Sequence, residues 1–490
     1  MLAKIWSCCL IGLKPFLVRT EVDIAAGLPA FEIVGLADKA VKEAKERVRT
    51  ALRNSGYEFP YQRITVNLAP ADLKKQGTGF DLPIALGILL ATGQVALPAG
   101  ENFLAMGELS LQGELRPIAG ILPMALICQG TFIIPWENYA EASLVKELDI
   151  WPLRCLNDLH KAKAYPKVKV RERKRKKTRD FNEIKGQLQA KRALEVAAAG
   201  GHNLLFLGPP GCGKTMLAER IVTILPYLSE EEALEVTKVE SIAGLLNEEG
   251  MLVRERPFRS PHHTCSVSTL LGGSSSLKPG EVTLAHCGVL FLDELTEFRR
   301  DSLEALRQVL ESREVTLTRQ NRTCTYPADF LLIGSANKCP CGRSEELCTC
   351  TSTEIKRYRN KISGPLWERF DLRLDLMPLS SQELRQRKAG EASAVIRKRV
   401  EQAALRQRKR FQGENIFRNA GMDARQVEKY CILSSEAEEY LTEMLEHLKL
   451  SARAYSRVLK VALTIADLAE EEEITPYHLA EAFHYRGEEN

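Results

Sequence analysis

This sequence lacks the long apolar runs of a membrane protein. Its most apolar stretch, residues 82–93, has only twelve residues and directly follows Asp81. A helix needs about 20 apolar residues to cross a bilayer, so this stretch predicts a buried helix and no membrane partner. The first fifteen residues include Lys4 and Lys14 and show no small-residue cleavage site, which predicts a strand and not a signal peptide.

The sequence also has little net charge. The 490 residues include 68 basic and 64 acidic ones, for a net charge of +4, and an ordinary 44% of hydrophobic residues excludes a disordered or collagen-like chain. The charge is uneven, because residues 161–179 carry eleven basic residues and one acidic residue, Glu172. Repulsion within this segment predicts an extended linker at 166–180, which either binds DNA or only separates two domains.

A disulfide framework is absent as well. The thirteen cysteines are an odd number in a long chain, and four of them fall within twelve residues. This clustering is typical of a metal site in a reducing compartment, so we expect a cytoplasmic protein with free thiols.

The remaining pattern divides the chain into four parts. Residues 1–165 alternate β-rich runs, such as 31–34 and 63–68, with helical stretches, which predicts a mixed α and β domain. The basic linker at 166–180 follows. Residues 181–380 alternate helices and apolar strands, and residues 381–490 are helical throughout.

The third part predicts an α/β fold with a parallel sheet covered by helices. The expected elements are a helix at 181–200, a strand at 203–207, a loop at 208–213, a helix at 214–225, and strands at 288–292 and 330–334 with a helix at 300–310 between them.

The most informative motif is GPPGCGKT at residues 208–215, which matches G-x-x-x-x-G-K-[ST] between a strand and a helix. Glycines let backbone N–H groups surround phosphates, and the helix N-terminus adds positive potential. We expect Lys214 to reach the β- and γ-phosphates of ATP and Thr215 to hold Mg²⁺. The other expected nucleotide-binding residues are Gly208, Pro209, Pro210, Gly211, Cys212 (as a small tolerated residue) and Gly213.

A second element, VLFLDE at residues 289–294, reads as a buried strand ending in two carboxylates. Ligands bind beyond the carboxyl ends of the strands in open α/β sheets. We therefore expect Asp293 to hold Mg²⁺ and Glu294 to polarise the attacking water. Asn337 follows the strand at 330–334 and is expected to orient the same water.

The order of these motifs resembles AAA+ ATPases, and specifically the magnesium-chelatase-like ComM/YifB family. The resemblance covers nearly the whole chain and rests on long strings: FEIVGLADKAVKEAKERVR, ITVNLAPADLKKQGTGFDLPIALGIL, RPFRSPHHT, LKPGEVTLAHCGVLFLDEL, ISGPLWERFDL and SARAYSRVLKVALTIADL. It implies an AAA+ P-loop core with a helical lid, after an α+β domain that resembles the Lon protease (ribosomal S5-like) fold.

The resemblance also implies a ring, expected to be a hexamer, with ATP at the subunit interfaces. Arg369 in LWERFDL would be the arginine finger that enters a neighbour's site. Arg453 in SARA would be the sensor 2 arginine, with Arg457 one turn later as its rival.

Cys339, Cys341, Cys348 and Cys350 form two C-x-C pairs. Four thiolates from two tight turns can complete a tetrahedral shell, so we expect a structural Zn²⁺, and similar clusters in the family support it. Reduced or redox-active thiols are the alternative.

Three further features predict surface contacts. Residues 312–326 alternate like a β-hairpin, and by resemblance Arg319 and Arg322 near its tip would bind DNA phosphates. The basic helix at 397–410 is a second candidate DNA contact or a solvated face. Adjacent histidines point in different directions on a strand or a helix and rarely chelate one ion alone. We expect His262 and His263 to lie on a loop that touches polynucleotide or a neighbouring subunit, with a structural turn as the alternative.

The N-terminal domain departs from the Lon-type enzyme. Where that fold places its Ser nucleophile, this sequence has Gly79, Phe80 and Asp81, and where it places the Lys it has Met124. Thr78 is the nearby hydroxyl and has no evident Lys partner. A Ser–Lys dyad needs both groups, so we expect no proteolysis.

Together these features predict a DNA motor that couples ATP hydrolysis to translocation or branch migration in recombination or natural transformation. The alternatives are a metal-insertion or protein-remodelling ATPase like magnesium chelatase, and a protease-associated unfoldase.

Overall fold

A computed structural model describes residues 1–97, 102–161, 180–246, 252–273, 277–319, 322–343, 347–380, 390–414, 416–448 and 451–486. The predicted basic linker lies outside these residues, apart from Asp180. No helix in the described ranges is long and apolar enough to cross a membrane.

The N-terminal part is built on a mixed sheet, and its first strand confirms the strand predicted within the first fifteen residues. Its strands are β1 (Leu2–Ile11), β2 (Lys14–Ala25), β3 (Ala30–Val34), β4 (Arg63–Ala69), β5 (Phe103–Ala105), β6 (Glu108–Leu109), β7 (Leu115–Arg116), β8 (Thr131–Pro135) and β9 (Asp149–Leu153). Seven of them form one sheet in the order β3-β4-β2-β1-β5-β8-β9, while β6 and β7 form a separate ribbon.

Helices cover this sheet at Lys39–Asn54, Asp81–Ala91, Ile121–Ala125 and Tyr139–Ala142. The prediction of a buried helix at 82–93 is confirmed, because every residue of Asp81–Ala91 except Leu90 is buried. A Cβ at Gly87 in this helix would lie 2.4 Å from Cγ2 of Val22. The glycine therefore lets the helix approach β2 closely.

The third part contains a parallel sheet, as predicted, and this sheet has five strands. Its strands and the neighbouring hairpin are β10 (Leu204–Leu207), β11 (Phe258–Arg259), β12 (Val289–Leu292), β13 (Glu314–Arg319), β14 (Arg322–Pro327), β15 (Leu331–Ala336) and β16 (Leu372–Asp375). The sheet order is β11-β12-β15-β10-β16, and β13 pairs only with β14. Because all five strands are parallel, their carboxyl ends share one edge of the sheet.

Helices pack on this sheet and continue into the C-terminal part. The α-helices of the core are Leu188–Gly200, Lys214–Arg220, Glu230–Ala243, Val267–Leu271, Glu281–Leu284, Arg300–Ser312, Ser352–Arg359 and Gly364–Trp367. The C-terminal helices are Ser393–Arg410, Ala424–Tyr430, Ser435–Leu448, Ala452–Ala469 and Pro476–His484. One apolar cluster joins both sets, from Leu194 and Phe206 to Val458 and Leu479.

Two predicted helices differ from the structure. The predicted helix at 181–200 begins only at Leu188, because Gly186 and Gln187 take positive φ angles of 54° and 50°, which interrupt a right-handed helix. The predicted helix at 214–225 ends as an α-helix at Arg220, and a 3₁₀ turn, Ile221–Thr223, follows.

The two folded parts touch each other. Ser241, at the end of helix Glu230–Ala243, donates a hydrogen bond to the buried carboxylate of Glu141 at 2.5 Å. The backbone oxygen of Ser241 also accepts from the N–H of Gly120 at 3.1 Å. A second contact lies at Gly12, where a Cβ would come 3.1 Å from Cβ of Cys324 in the hairpin. The N-terminal part therefore packs against the core through these contacts.

Candidate functional site

The loop between β10 and helix Lys214–Arg220 has the conformation that its glycines suggest. Gly211 and Gly213 have φ angles of 81° and 92°, in the left-handed region that favours glycine. At Gly208, a Cβ would lie 2.5 Å from the backbone oxygen of Leu376. The course of the loop itself therefore requires glycine at these positions.

Lys214 lies at the centre of this loop. Its Nζ donates hydrogen bonds to the backbone oxygens of Gly208 (2.6 Å) and Pro209 (3.1 Å) and to Oδ1 of Asn337 (3.0 Å). Desolvation by burial lowers the pKa of this lysine below its ordinary value. The structure therefore brings Lys214 and Asn337 together at the carboxyl edge of the sheet.

Asp293 and Thr215 also meet at this edge. The hydroxyl of Thr215 donates to Oδ2 of Asp293 at 2.8 Å, and Ser335 donates to Oδ1 of the same carboxylate. A hydroxyl and a carboxylate are oxygen ligands of the kind that Mg²⁺ takes, so these residues fit the ion that an ATP site needs. Asp293 is the first residue after β12.

Ser335 is a site residue that sequence reasoning missed. It is fully buried and also accepts a hydrogen bond from the N–H of Glu294 at 3.2 Å. The register of the sheet could have revealed it, since Leu292 is paired with Gly334 and the next residues on the two strands are Asp293 and Ser335.

Glu294 turns away from the strand with a positive φ of 54°. Its Oε2 lies 3.5 Å from Nδ1 of His263, on the loop after β11. The rings of His262 and His263 have centroids 4.1 Å apart and planes tilted by 32°. The two rings therefore lie side by side on this loop, which neighbouring side chains on a strand or a helix would not do.

Arg369 follows helix Gly364–Trp367. Its guanidinium forms an ion pair with Glu311 of the same chain, on helix Arg300–Ser312. The side chain is 31% exposed. Entry into another subunit's site would exchange this intramolecular ion pair for contacts with the nucleotide.

Comparison with known proteins shows which family this chain resembles. Models of magnesium chelatase match three stretches: subunit ChlI of Mg-chelatase at residues 20–138, magnesium chelatase subunit ChlI at 180–384, and the ChlI C-terminal region at 390–486. Competence protein ComM of Haemophilus influenzae is 43% identical over 99% of this chain and 97% of its own length. The uncharacterized protein YifB of Escherichia coli is 43% identical over 97% of this chain and 95% of its own.

This chain belongs to the magnesium-chelatase-like ComM/YifB family. Membership implies an AAA+ ATPase that uses ATP and Mg²⁺. The mixed α/β architecture and the parallel sheet agree with this assignment.

The two candidates for the sensor 2 arginine of this ComM/YifB-family chain, both in helix Ala452–Ala469, have different surroundings. Arg453 is 73% exposed and lies 3.4 Å from Glu368, the neighbour of Arg369 in the chain. Arg457 is only 17% exposed, and its Nε lies 3.7 Å from Asp371. Arg453 therefore lies at the surface, beside the neighbour of Arg369. Arg457 instead forms an ion pair that is shielded from solvent.

The four clustered cysteines of this family member converge. Their sulfur atoms all lie within 4.8 Å of one another, with Sγ separations of 3.3 Å for Cys339–Cys341, 3.7 Å for Cys341–Cys348 and 3.5 Å for Cys348–Cys339. Four sulfurs at about 2.3 Å from Zn²⁺ lie about 3.8 Å apart in a tetrahedron, so the cluster fits zinc.

The cysteine cluster also touches the nucleotide site. Gly342 follows Cys341 and has a φ of 68°. A Cβ there would lie 3.4 Å from the Pro210 ring and 3.7 Å from Nδ2 of Asn337. The turn that holds the sulfurs therefore packs against both the phosphate-binding loop and Asn337.

The predicted hairpin is formed by β13 and β14, with Arg319 opposite Arg322 at the end that adjoins residues 320–321. One face packs on the core through Val315, Leu317, Cys324 and Tyr326, and threonine pairs line the other. The predicted tip, Gln320-Asn321, and the side chain of Arg322 lie outside the described residues.

The basic helix is partly engaged within the chain, and its role as a DNA contact stays a prediction. Four of the seven basic side chains at 397–410 make contacts within the chain: Arg397 with Tyr227, Arg399 with Glu391 and Glu195, Arg406 with the backbone of Glu470, and Arg410 with Asp467. These contacts hold the helix on the core and on helix Ala452–Ala469.

In the N-terminal part, the residues compared above with a Ser–Lys dyad have other contacts. Asp81 is fully buried and pairs with Arg47, whose Nε lies 2.7 Å from its carboxylate. Thr78 donates a hydrogen bond to Glu108. Met124 is buried in an apolar cluster.

Proposed function

We propose that this chain is an ATP-dependent, ring-forming DNA motor of the cytoplasm, a translocase or branch-migration helicase that acts in homologous recombination or natural transformation. The observation that carries the proposal is the short path from the hairpin to the ATP site. Strand β14 ends at Pro327, and β15 begins at Leu331 and carries Ser335. Movement at the hydrolysis site is thereby transmitted to Arg319 at the far end of the hairpin.

The assignment of roles follows the geometry described above. Lys214 binds the β- and γ-phosphates when ATP displaces its bonds to the loop carbonyls. Thr215 and Asp293 hold Mg²⁺, which neutralises phosphate charge when it is bound. Glu294 polarises the attacking water, and Asn337 orients it.

Arg369 acts in trans as the arginine finger of a ring, with a hexamer as the expected assembly. Arg453 is the sensor 2 residue by resemblance, while Arg457, in its ion pair with Asp371, is the weaker candidate. The four cysteines hold a structural Zn²⁺.

The domain assignments belong to the same proposal. Residues 1–165 form a proteolytically inactive Lon-like domain, 166–180 the linker, 181–380 the ATPase core and 381–490 the lid. The relative ComM is named a competence protein, which supports a role in the uptake or recombination of DNA.

The test is the ATPase rate with single-stranded, forked and four-way-junction DNA over a salt series. We expect DNA to stimulate hydrolysis in wild type, with a stimulation that falls as salt rises. Arg319→Ala should weaken DNA binding and reduce the salt slope by about one. Arg63→Ala changes net charge equally, at an exposed ion pair with Glu32 in the other domain, and is the control.

Absence of stimulation by every DNA form would contradict the DNA motor. It would favour the second candidate, a metal-insertion or protein-remodelling ATPase, for which the match to magnesium chelatase over 180–384 is the supporting observation. An unfoldase that serves a protease would instead be stimulated by unfolded protein.

A further inference from the structure

Asn203 joins three segments of the ATPase core. Its side-chain Nδ2 donates to the backbone oxygen of Arg369 at 3.0 Å, and its Oδ1 accepts from the N–H of Leu332 at 2.9 Å. Its backbone N–H donates to Oδ2 of Asp371 at 3.3 Å. Its backbone oxygen accepts from the N–H groups of Asp371 and Leu372, at 3.0 Å each.

Each of these segments leads to a different part of the site. Asn203 directly precedes β10, which ends at the phosphate-binding loop. Leu332 lies in β15, the strand that also carries Ser335. Residues 369–371, called here the Arg369 segment, lead into β16. An amide bonded on both its donor and its acceptor side has one orientation, so Asn203 holds the three segments at set distances.

Asp371 extends this contact to the lid. Its Oδ1 lies 3.7 Å from Nε of Arg457, and its Oδ2 lies 3.5 Å from Nδ1 of His202. His202 in turn contacts Thr464 of the lid helix Ala452–Ala469 at 2.8 Å. Burial alone would raise the pKa of Asp371. The neighbouring His202, Arg457 and Lys460 outweigh burial and hold this pKa below its ordinary value, which favours a charged carboxylate.

We propose that Asn203 is a positioning residue for Arg369, and that it couples the nucleotide site of one subunit to the finger that this subunit offers to its neighbour. The proposal rests on the proposed role of Arg369 as a finger. The side chain of Asn203 bonds the backbone of the Arg369 segment and not its guanidinium. A shift of β10 or β15 at the subunit's own ATP site therefore moves the Arg369 segment through two hydrogen bonds.

The experiment uses Asn203→Ala in the full-length chain and compares it with Arg369→Ala. Each is assayed alone and mixed with Glu294→Gln subunits, which retain an intact finger but lack the water-polarising carboxylate. Asn54→Ala is the matched control, because it removes another amide-to-backbone bond, Nδ2 to Leu111 O at 2.8 Å, at an exposed site in the other domain. Thermal unfolding and particle mass are measured for every variant.

We expect Asn203→Ala alone to lose at least about tenfold in kcat with an unchanged KM for ATP, since small misplacements of a catalytic group have effects of that order. Mixing with Glu294→Gln subunits should restore its turnover as it restores that of Arg369→Ala, because the neighbour supplies a well-placed finger. Asn54→Ala should behave as wild type.

Three outcomes would overturn the proposal. Wild-type turnover in Asn203→Ala would show that ATP hydrolysis does not depend on the hydrogen bonds of this amide. Rescue of Arg369→Ala without rescue of Asn203→Ala would place the defect in the subunit's own site. Failure to rescue Arg369→Ala would contradict the role of Arg369 as a finger that acts in a neighbouring subunit. The role of Asn203 depends on that finger and would be rejected as well.

Discussion

Nδ1 of His263 lies 3.5 Å from Oε2 of Glu294, so a loop that begins at the edge strand of the sheet reaches the carboxylate proposed to activate water. The contact joins residues 31 positions apart and depends on the left-handed φ of Glu294, which turns its side chain out of the strand. The His263 ring also meets Phe298 edge-on, with centroids 6.5 Å apart. The histidine is thus held on two sides.

The first prediction concerns this pair. His263→Ala should lower kcat for ATP by about tenfold with little change in KM, because the carboxylate loses the neighbour that orients it. His447→Ala, at an exposed position of helix Ser435–Leu448, is the control, because the His262 ring packs against His263. Glu294→Gln sets the lower limit, with ATP binding intact and turnover abolished. Equal rates for the two histidine variants would contradict the prediction.

The second prediction concerns Ser335. Its hydroxyl donates to Asp293, so Ser335→Ala should raise the Mg²⁺ concentration needed for half-maximal ATPase by about tenfold or more, as is typical when a residue that orients a metal ligand is removed. Ser143→Ala removes a buried hydroxyl that bonds Tyr139 in the other domain and is the control. An unchanged Mg²⁺ titration would show that Asp293 needs no such support.

The third prediction concerns the cysteine cluster. The purified chain should contain one Zn²⁺ by native mass spectrometry, and Cys341→Ser and Cys348→Ser should each lose it, whereas Cys155→Ser should keep it. Loss of zinc should also lower ATP turnover, because Gly342 in the same turn packs against Pro210 and Asn337. A metal-free protein with full activity would be inconsistent with the zinc assignment.

The fourth prediction concerns the contact between the two parts of the chain. Ser241→Ala removes a hydrogen bond from the buried Glu141 and should lower the free energy of unfolding by about 1–3 kcal/mol. Ser456→Ala, whose exposed hydroxyl bonds Ala452 within its own helix, should stay within about 0.5 kcal/mol of wild type. Equal denaturation midpoints for the two variants would argue against a stable docked domain.

The burial of Glu141 should also make the free energy of unfolding depend on pH. Burial raises the pKa of Glu141 above its ordinary 4.5, although hydrogen bonds from Ser241, Leu122 and Asn138 oppose the shift. Because the folded chain holds the proton more tightly than the unfolded chain, the stabilisation is complete below that ordinary value and is lost as the pH rises through the folded pKa. Denaturation of wild type and Glu141→Gln between about pH 4 and pH 7 measures it, and a constant difference between them would refute it.

Much of the nucleotide site could be read from local signals. The glycines of 208–213, the lysine and threonine that follow, and the carboxylates after an apolar strand are neighbours in sequence, and their spacing reflects backbone geometry within a few residues. The buried helix, the hairpin and the parallel sheet were predicted for the same reason, since hydrophobic periodicity reports which side of an element faces a core.

Contacts between distant residues could not be read in this way. The helix predicted at 181–200 starts late because of two positive φ angles, and nothing in the periodicity signals them. The pairing of Ser335 with Asp293 needs the strand register, and that of His263 with Glu294 needs the course of a loop.

The sequence by itself therefore determined the family, the class of fold and the chemical groups at the nucleotide site, because those follow from motifs and periodicity along the chain. Only the tertiary structure decided which groups support them: Ser335 behind Asp293, His263 beside Glu294, the cysteine turn against Pro210, and Asn203 between β10, β15 and the Arg369 segment. Those relationships depend on how strands stack side by side and how loops cross the sheet edge, and sequence spacing does not encode either.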